Sequence, residues 1–477
     1  MRNSIIKNEI CIWGAGVFFS LVVGSPSWIA GQNVAPPQAA APTAGSFQGS
    51  VVNGQASPQP LALSLDDAMQ RGLQNNLGVI LSGNETAAAR GERLSQLQSL
   101  LPSVDFNAHE AVSQVDLPAE GFRLPGFPTI VGPFGYTDVR ASFSWSLVDL
   151  PALRGYLAAR HNFAAAQLSA QDARDLVVLT VGNAYLLVLA DQAQAASVEA
   201  QVATAKVSLD QAVANHQAGT APMLDELRAR VDYQSLEQQL IVAQNALEKD
   251  KLALARTIGL PLAQQFTLSD RAPYAVFDQL DAVALIAQAH ANRKDLAALV
   301  EETKAAEEQR KAATDKRLPT VKADADYGDI GTTLAHSHGT VDATGTLSVP
   351  VFKEFELRGE AQQAQAQLDT AQAQLSDRSA QVDADVRDAL LDIQSAQKLV
   401  EVARSSMDLA NEALKEAQER YASGVSDNLA VSQAQQSVAQ ADNQYVVSLY
   451  RDNVAKLSLA RSLGDGQDYR KYLQPSP

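Results

Sequence analysis

The chain has one cysteine, Cys11, so nothing beyond that position can form a disulfide or supply a thiolate to a metal. Aromatic residues make up only 6%, which argues against a thick globular core. Basic residues are outnumbered, 38 Lys and Arg against 54 Asp and Glu, leaving a formal charge of −16. Nucleic-acid binding needs a basic face, so a partner of that kind is excluded. An acidic balance suits solubility, or a lumen that favours cations. After the N-terminal region no run of about 18 consecutive apolar residues occurs, so no membrane-spanning helix is expected. Proline is missing from two long stretches, 152–217 and 353–422. Each is long enough for a helix of about 100 Å. No nucleophile–base arrangement, phosphate loop or metal-binding helix stands out, so neither catalysis nor a cofactor is expected.

What is present begins with a segment resembling a secretory signal over residues 1–30, with Arg2 and Lys7 ahead of an apolar run at 13–23. Residues 31–61 are rich in Pro, Ala, Gly and Gln and read as a flexible linker. Helical sequence starts near Leu65, with Ser64 as its cap and Asp66 and Asp67 in the first turn. It runs to Leu101, just before Pro102.

Four landmarks then occur twice in the same order. Leu101-Pro102-Ser103-Val104 returns as Leu318-Pro319-Thr320-Val321, and Leu153-Arg154-Gly155 as Leu357-Arg358-Gly359. Ala218-Gly219 returns as Ser423-Gly424, and Ile258-Gly259 as Leu463-Gly464. The separations are 217, 204, 205 and 205 positions. The slip of 13 falls between the first and second landmarks, where exposed loop tips tolerate length changes. A duplication of this size sets the organisation of the chain. The first repeat is expected at 62–270, with a β-hairpin at about 102–149 and a helical tip at Gly219. The second is expected at 271–465, with a β-hairpin at about 319–350 and a tip at Gly424, followed by a tail at 466–477 without clear signal. In the second long helix apolar residues fall at Leu368, Leu375 and Val382, then Ile393, Val400, Met407, Leu414 and Tyr421. Steps of seven broken by one of eleven are a coiled-coil seam with a local unwinding.

Each predicted β-hairpin alternates with period two. Val139, Ala141, Phe143, Trp145 and Leu147 interleave with Arg140, Ser142, Ser144 and Ser146. Val341, Ala343, Gly345, Leu347 and Val349 interleave with Asp342, Thr344, Thr346 and Ser348. A half-buried strand of a soluble sheet shows the same pattern. Four such segments, in matched hairpins on a chain with an export signal, favour tilted membrane strands. Arg140, Ser142, Ser144, Ser146, Asp342, Thr344 and Thr346 then become the expected barrel-lumen residues. Four strands cannot close a barrel, because backbone groups in lipid must all be paired and the smallest barrels have eight strands. Two copies would give eight strands and a filled interior, three would give twelve and an open channel. The polar inward faces favour three.

The opening Leu63-Ser64-Leu65-Asp66-Asp67-Ala68 through Asn75-Asn76, the paired Leu-Pro-x-Val strand starts, the two glycine tips and the duplication together resemble the TolC-like outer-membrane efflux protein family. The resemblance spans about residues 61–465. It implies a mainly α protein with membrane β: a long α-helical coiled-coil barrel, with four strands per chain completing a 12-stranded β-barrel in a homotrimer. It implies an outer-membrane location reaching into the periplasm, with outer-membrane lipid, a periplasmic adaptor and an inner-membrane pump as partners. It also implies passive export of drugs, metals, small molecules or proteins. A closed gate near the tips would involve Asp225 and Tyr421, but Ser426 stands where the family has an arginine. Ala430 and Gln433 stand where well-known members carry acids, leaving Asp427 as the candidate acidic ring. Gly219, Thr220, Gly424 and Val425 would face the adaptor. His336 and His338, in the second hairpin loop, lack a third ligand at metal-site spacing. The competing reading is a structural coiled-coil tether or adaptor. One helical hairpin and a small glycine-rich β-domain would fit that reading better than two hairpins and four alternating strands.

Overall fold

The computed structural model describes residues 44–473, apart from 120, 122–124, 127, 271–273, 275, 277–280, 424, 426 and 427, with backbone alone at 44, 334, 422 and 428. The predicted signal and the first part of the predicted linker lie outside the described residues. In chain order the elements are β1 (Leu61–Leu63), α1 (Leu65–Asn75), α2 (Leu77–Gln98), β2 (Ser103–Asp116) and β3 (Ile130–Val148). There follow α3 (Leu150–Gln217), α4 (Met223–Ile258), β4 (Phe266–Leu268), α5 (Ala282–Asn292) and α6 (Lys294–Asp315). The last are β5 (Thr320–Gly331), β6 (Ser337–Ser348), α7 (Glu354–Ala422), α8 (Asn428–Ser462) and α9 (Arg470–Leu473).

The helices α3 and α7 have 68 and 69 residues, about 100 Å each, as the proline-free stretches predict. They end in the same way. Thr220 N donates to Asn215 O and Val425 N to Arg420 O, the six-to-one bond of a Schellman cap, and Gly219 sits at φ +73°. The return helices α4 and α8 close with the equivalent bonds, Leu260 N to Ala255 O and Asp465 N to Ala460 O.

Two expectations need correction. The helices predicted at 65–101 and 281–318 are each broken once, at Asn76 and at Arg293, where ψ swings to 133° and 122°. Neither break is marked by proline or glycine. At Asn76 the side chain accepts from Gly78 N and donates to the carbonyls of Phe47 and Thr257, so the buried amide supplies the backbone partners that a helix break orphans. At Arg293 a buried guanidinium is held by Asp295 and Asp385, each at 2.6 Å. The glycine ending each return helix is pressed against the break of its own repeat. A Cβ on Gly259 would lie 2.7 Å from Asn75 Cβ, and one on Gly464 would lie 2.9 Å from Arg293 N. Both have positive φ, so no other residue fits without strain.

Second, the described part of the predicted linker is docked. Residues Ala44–Gln48 form a 3-10 turn whose Phe47 packs against the core, and Val51 N donates to Asn75 O. The tail is also anchored: Tyr469 and Leu473 are buried, and Arg470 pairs with Asp66 at 2.6 Å. By length and composition α3 also contains a stretch apolar enough to cross a bilayer, though no unbroken run of apolar residues there is that long. Hydropathy averaged over a window passes where an unbroken apolar run does not. The stretch is apolar because α3 is the central helix, touching α2, α4, α6 and α8. Val177, Val181, Tyr185 and Val188 there are buried in a core shared with α1, α4 and α8.

β1 and β4 pair in parallel, Leu61 with Phe266 through Leu63 with Leu268. The partners are 205 residues apart, the repeat separation itself, so equivalent residues of the two repeats lie side by side. Beyond them, Asp270 Oδ2 accepts from Leu65 N at 2.7 Å and from the Tyr185 hydroxyl at 2.9 Å. A second core, on α5, α6, α7 and α8, includes Val382, Val386, Ile393 and Leu459.

Candidate functional site in the sheet and at the helical tips

The four long strands form one antiparallel sheet in the order β2-β3-β5-β6. Residues directly opposite each other share a face. One face carries the rows Ser103–Ser144–Asp324–Thr344 and Asp105–Ser142–Asp326–Asp342, with Ser146–Lys322–Thr346 below them. The register thus brings all seven expected lumen residues to one side. It adds Asp105, Asp138, Lys322, Asp324 and Asp326, which the same alternation marks in the sequence. Arg140 bridges Asp138 at 3.0 Å and Asp326 at 2.5 Å. The Ser144 hydroxyl donates to Asp324 at 2.7 Å, and the Thr344 hydroxyl to Asp342 at 2.8 Å. Five carboxylates face two cations on this side of each chain.

The opposite face carries Val104–Phe143–Ala325–Ala343 and Phe106–Ala141–Tyr327–Val341. Phe106 and Val341 are 71% and 74% exposed. A folded chain does not leave such a band to water, and apolar-out, polar-in alternation is the pattern of a membrane strand. The strands have 14, 19, 12 and 12 residues, longer than a bilayer crossing needs, so the hairpins project beyond it. In the second hairpin the Thr333 hydroxyl lies 3.0 Å from His336 Nδ1, and His338 sits opposite Ile330. Among the described residues no group of three or more His, Cys, Asp or Glu could hold a metal ion.

At the other end, Gly219, Thr220 and Val425 are exposed at the helical tips. Gly424, Ser426 and Asp427 lie outside the described residues. Asp225 is buried in the first turn of α4, 3.8 Å from Arg228. Within one chain no hydrogen bond joins Asp225 to Tyr421. The Tyr421 hydroxyl instead lies 3.5 Å from Asn215 Nδ2, the long limit of a hydrogen bond. Asn215 is one turn from the tip, and nothing in its sequence context marks it.

The architecture has relatives among solved structures. The outer membrane protein VceC of Vibrio cholerae superposes with a TM-score of 0.73 at 20% identity, covering 84% of this chain and 96% of that one. The CmeC outer membrane channel of Campylobacter jejuni gives 0.75 at 17% identity, covering 88% and 92%. The open state of the MtrE outer membrane channel of Neisseria gonorrhoeae gives 0.73 at 16%, covering 90% and 97%. A search of curated protein sequences finds no match. The family described as outer membrane efflux protein matches residues 72–260 and 285–465, most of the chain and one stretch in each repeat. With its polar-in, apolar-out sheet and paired helical hairpins, the chain belongs to the outer membrane efflux protein family.

Proposed function

We propose that three copies of this chain close one barrel and one helical tunnel, which together conduct solutes from the periplasm through the outer membrane. The observation that carries this reading is the four-stranded sheet with two open edges. Its strands alternate in direction, so β2 and β6 run antiparallel to each other, and β6 of one copy meets β2 of the next as one more antiparallel pair. Each added copy repeats this, and no edge is left once the ring closes. Twelve strands leave room for a water-filled lumen, which suits the Asp, Ser and Thr rows, whereas eight would be filled by side chains.

The helices support the same assembly. α4 and α7 are the outer members of the four packed long helices. α4 leaves Leu224, Val231 and Val242 exposed, in steps of seven and eleven. α7 leaves Leu391, Val402 and Leu409 exposed, in steps of eleven and seven. Two unpartnered seams of matching rhythm at opposite edges fit a ring of copies. The exposed Met223, Leu224 and Val425 at the tips suit a periplasmic adaptor that links the tunnel to an inner-membrane pump. Gly219, Thr220 and Gly424 belong to the same proposed surface, and Asp225, Tyr421, Ser426 and Asp427 to the proposed gate. Electron microscopy of detergent-extracted protein tests the assembly. A three-fold tube with a short barrel and a helical tunnel is expected; a two-fold particle or a soluble rod would refute it.

A further inference from the structure

The four long helices meet around one cavity of about 340 Å³, bounded by α3 at 200–204, α4 at 232–239, α7 at 411–414 and α8 at 432–439. The gap follows from side-chain size. The buried residues beside it, Ala205 on α3 and Ala434 and Val438 on α8, are too small to fill the space between four helices. Protein interiors hold few voids larger than a water molecule. This one reaches the size at which small-molecule sites begin, about 300 Å³, and helix bundles are a common place for them.

Its lining is mixed, and the polar part is one-sided. Leu236, Leu414 and Val438 form an apolar wall. Among the described residues that line it, Asp232 alone carries a charge, and no cation of the chain pairs with it. The Asp232 side chain is half-buried, and its Oδ2 accepts from the Ser432 hydroxyl at 2.5 Å, while Oδ1 accepts no hydrogen bond. Gln201 and Gln435 donate through their amide nitrogens to Ser197 Oγ and Ser208 Oγ, each at 3.1 Å. Their carbonyl oxygens remain as acceptors. The cavity therefore presents one negative charge and further accepting oxygens beside an apolar wall.

We propose that this cavity binds a small amphiphilic monocation, an organic amine whose ammonium group donates to Asp232 Oδ1 and to the glutamine oxygens while its apolar body lies against Leu236, Leu414 and Val438. Attraction between the ammonium and a half-buried carboxylate exceeds that in open water, and hydrogen bonds to a charged acceptor are the strong ones. The apolar body is withdrawn from water against the three aliphatic side chains. An anion is repelled by Asp232, and a neutral molecule of the same shape keeps only the apolar contribution. A metal ion fits poorly, because one carboxylate beside an aliphatic wall cannot complete its coordination. The site lies within one chain, so it does not depend on how copies assemble or on what the assembly conducts.

The test uses full-length protein in lipid nanodiscs. The probe is 2-naphthylmethylamine, and 2-naphthylmethanol is its uncharged counterpart of nearly the same shape. Equilibrium dialysis against empty nanodiscs separates binding from partition into lipid. Saturable binding of one amine per chain is expected, at least about tenfold tighter than the alcohol. Asp232→Asn should remove that preference, and Asp232→Glu should keep it. Leu236→Trp fills the cavity and should abolish binding of both probes. Uptake no greater than by empty nanodiscs would overturn the proposal, as would equal affinities for the two probes or amine binding unchanged in Asp232→Asn. Binding that survives in an assembled Leu236→Trp protein would place the probe elsewhere and overturn it too. If Leu236→Trp does not assemble, the contrast between the two Asp232 variants carries the test. None of these readouts requires conduction, so a failure of the channel reading would leave them standing.

Discussion

In the first repeat the break between α1 and α2 is closed by a neutral amide, Asn76, whose partners are two carbonyls and one N–H. In the second the equivalent break is closed by Arg293, whose partners are two carboxylates. The Asn76 solution ties the break to residues near the N-terminal turn and the end of α4. The Arg293 solution ties it through Asp385 to α7, the long helix of its own repeat. A similar contrast separates the long helices. α3 is surrounded by α2, α4, α6 and α8, whereas α7 touches α5, α6 and α8 and keeps a seam exposed. A duplicated sequence has thus been fitted to two environments, one enclosed by the chain's other helices and one keeping an apolar seam exposed.

The largest way to break the comparison is to remove the two capping side chains separately. Arg293→Ala leaves the buried Asp295 carboxylate without its closest cation and is expected to cost about 3–5 kcal/mol. Asn76→Ala leaves neutral groups unpaired and should cost about 1–2 kcal/mol. Melting of the detergent-solubilised assembly measures both, and equal losses would mean that the charge at Arg293 adds nothing.

A second pair of variants separates the two faces of the sheet. Val341→Arg places a charge on the apolar face and should cost about 2–4 kcal/mol per chain, while Thr344→Arg on the polar face should cost close to nothing. Trimer yield in outer membranes is the measurement, and similar yields would show that the two faces are not lipid and lumen.

The smallest effect lies in pH dependence, where two sets of buried carboxyls should differ in sign. Burial pushes the Asp175 carboxyl of α3 up to about 6. It pushes Asp191, with Asp250 facing it and Tyr450 nearby, up to about 7. Both bind a proton more tightly folded than unfolded. Their contribution is complete below about pH 4 and is lost as the pH rises through about 6 to 7. Asp295 of the second repeat behaves oppositely. Burial works to raise its carboxyl, but the hydrogen bond and charge of Arg293 outweigh this and hold it below the usual range. Its contribution is present above the unfolded value and lost as the pH falls. Asp191→Asn should therefore flatten the decline in melting temperature between about pH 4 and 7. Asp295→Asn should act only below about pH 4, and a flat wild-type profile between about pH 4 and 7 would refute the assignment to Asp191.

The features legible in the sequence are those whose signal is local and repeated. Alternation marked Arg140 to Leu147 as two-faced, proline-free runs marked α3 and α7, and glycines marked the tips. The breaks at Asn76 and Arg293 were not legible, because each depends on partners distant in sequence: Thr257 for one, Asp385 for the other. The strands β1 and β4 are three residues each and exist only through each other. Phe47 lies in a stretch whose composition says linker, and one aromatic residue at a helix break overrides that composition. At the proposed gate, the Asp225 and Tyr421 positions could be carried over from a family pattern. The Ser432–Asp232 hydrogen bond had no signature either, because its partners lie 200 residues apart.

The side-by-side placement of β1 and β4 has a consequence for the history of the molecule. Strands that pair at the repeat distance, in parallel and in register, relate the two halves as successive units of one ring. A half-length ancestor with two membrane strands and one helical hairpin could build the same tube from six identical copies. Fusing two such units fixes them in alternating order and frees each to diverge. Six-fold sameness is thereby exchanged for a three-fold wall in which the two hairpins of each chain can differ.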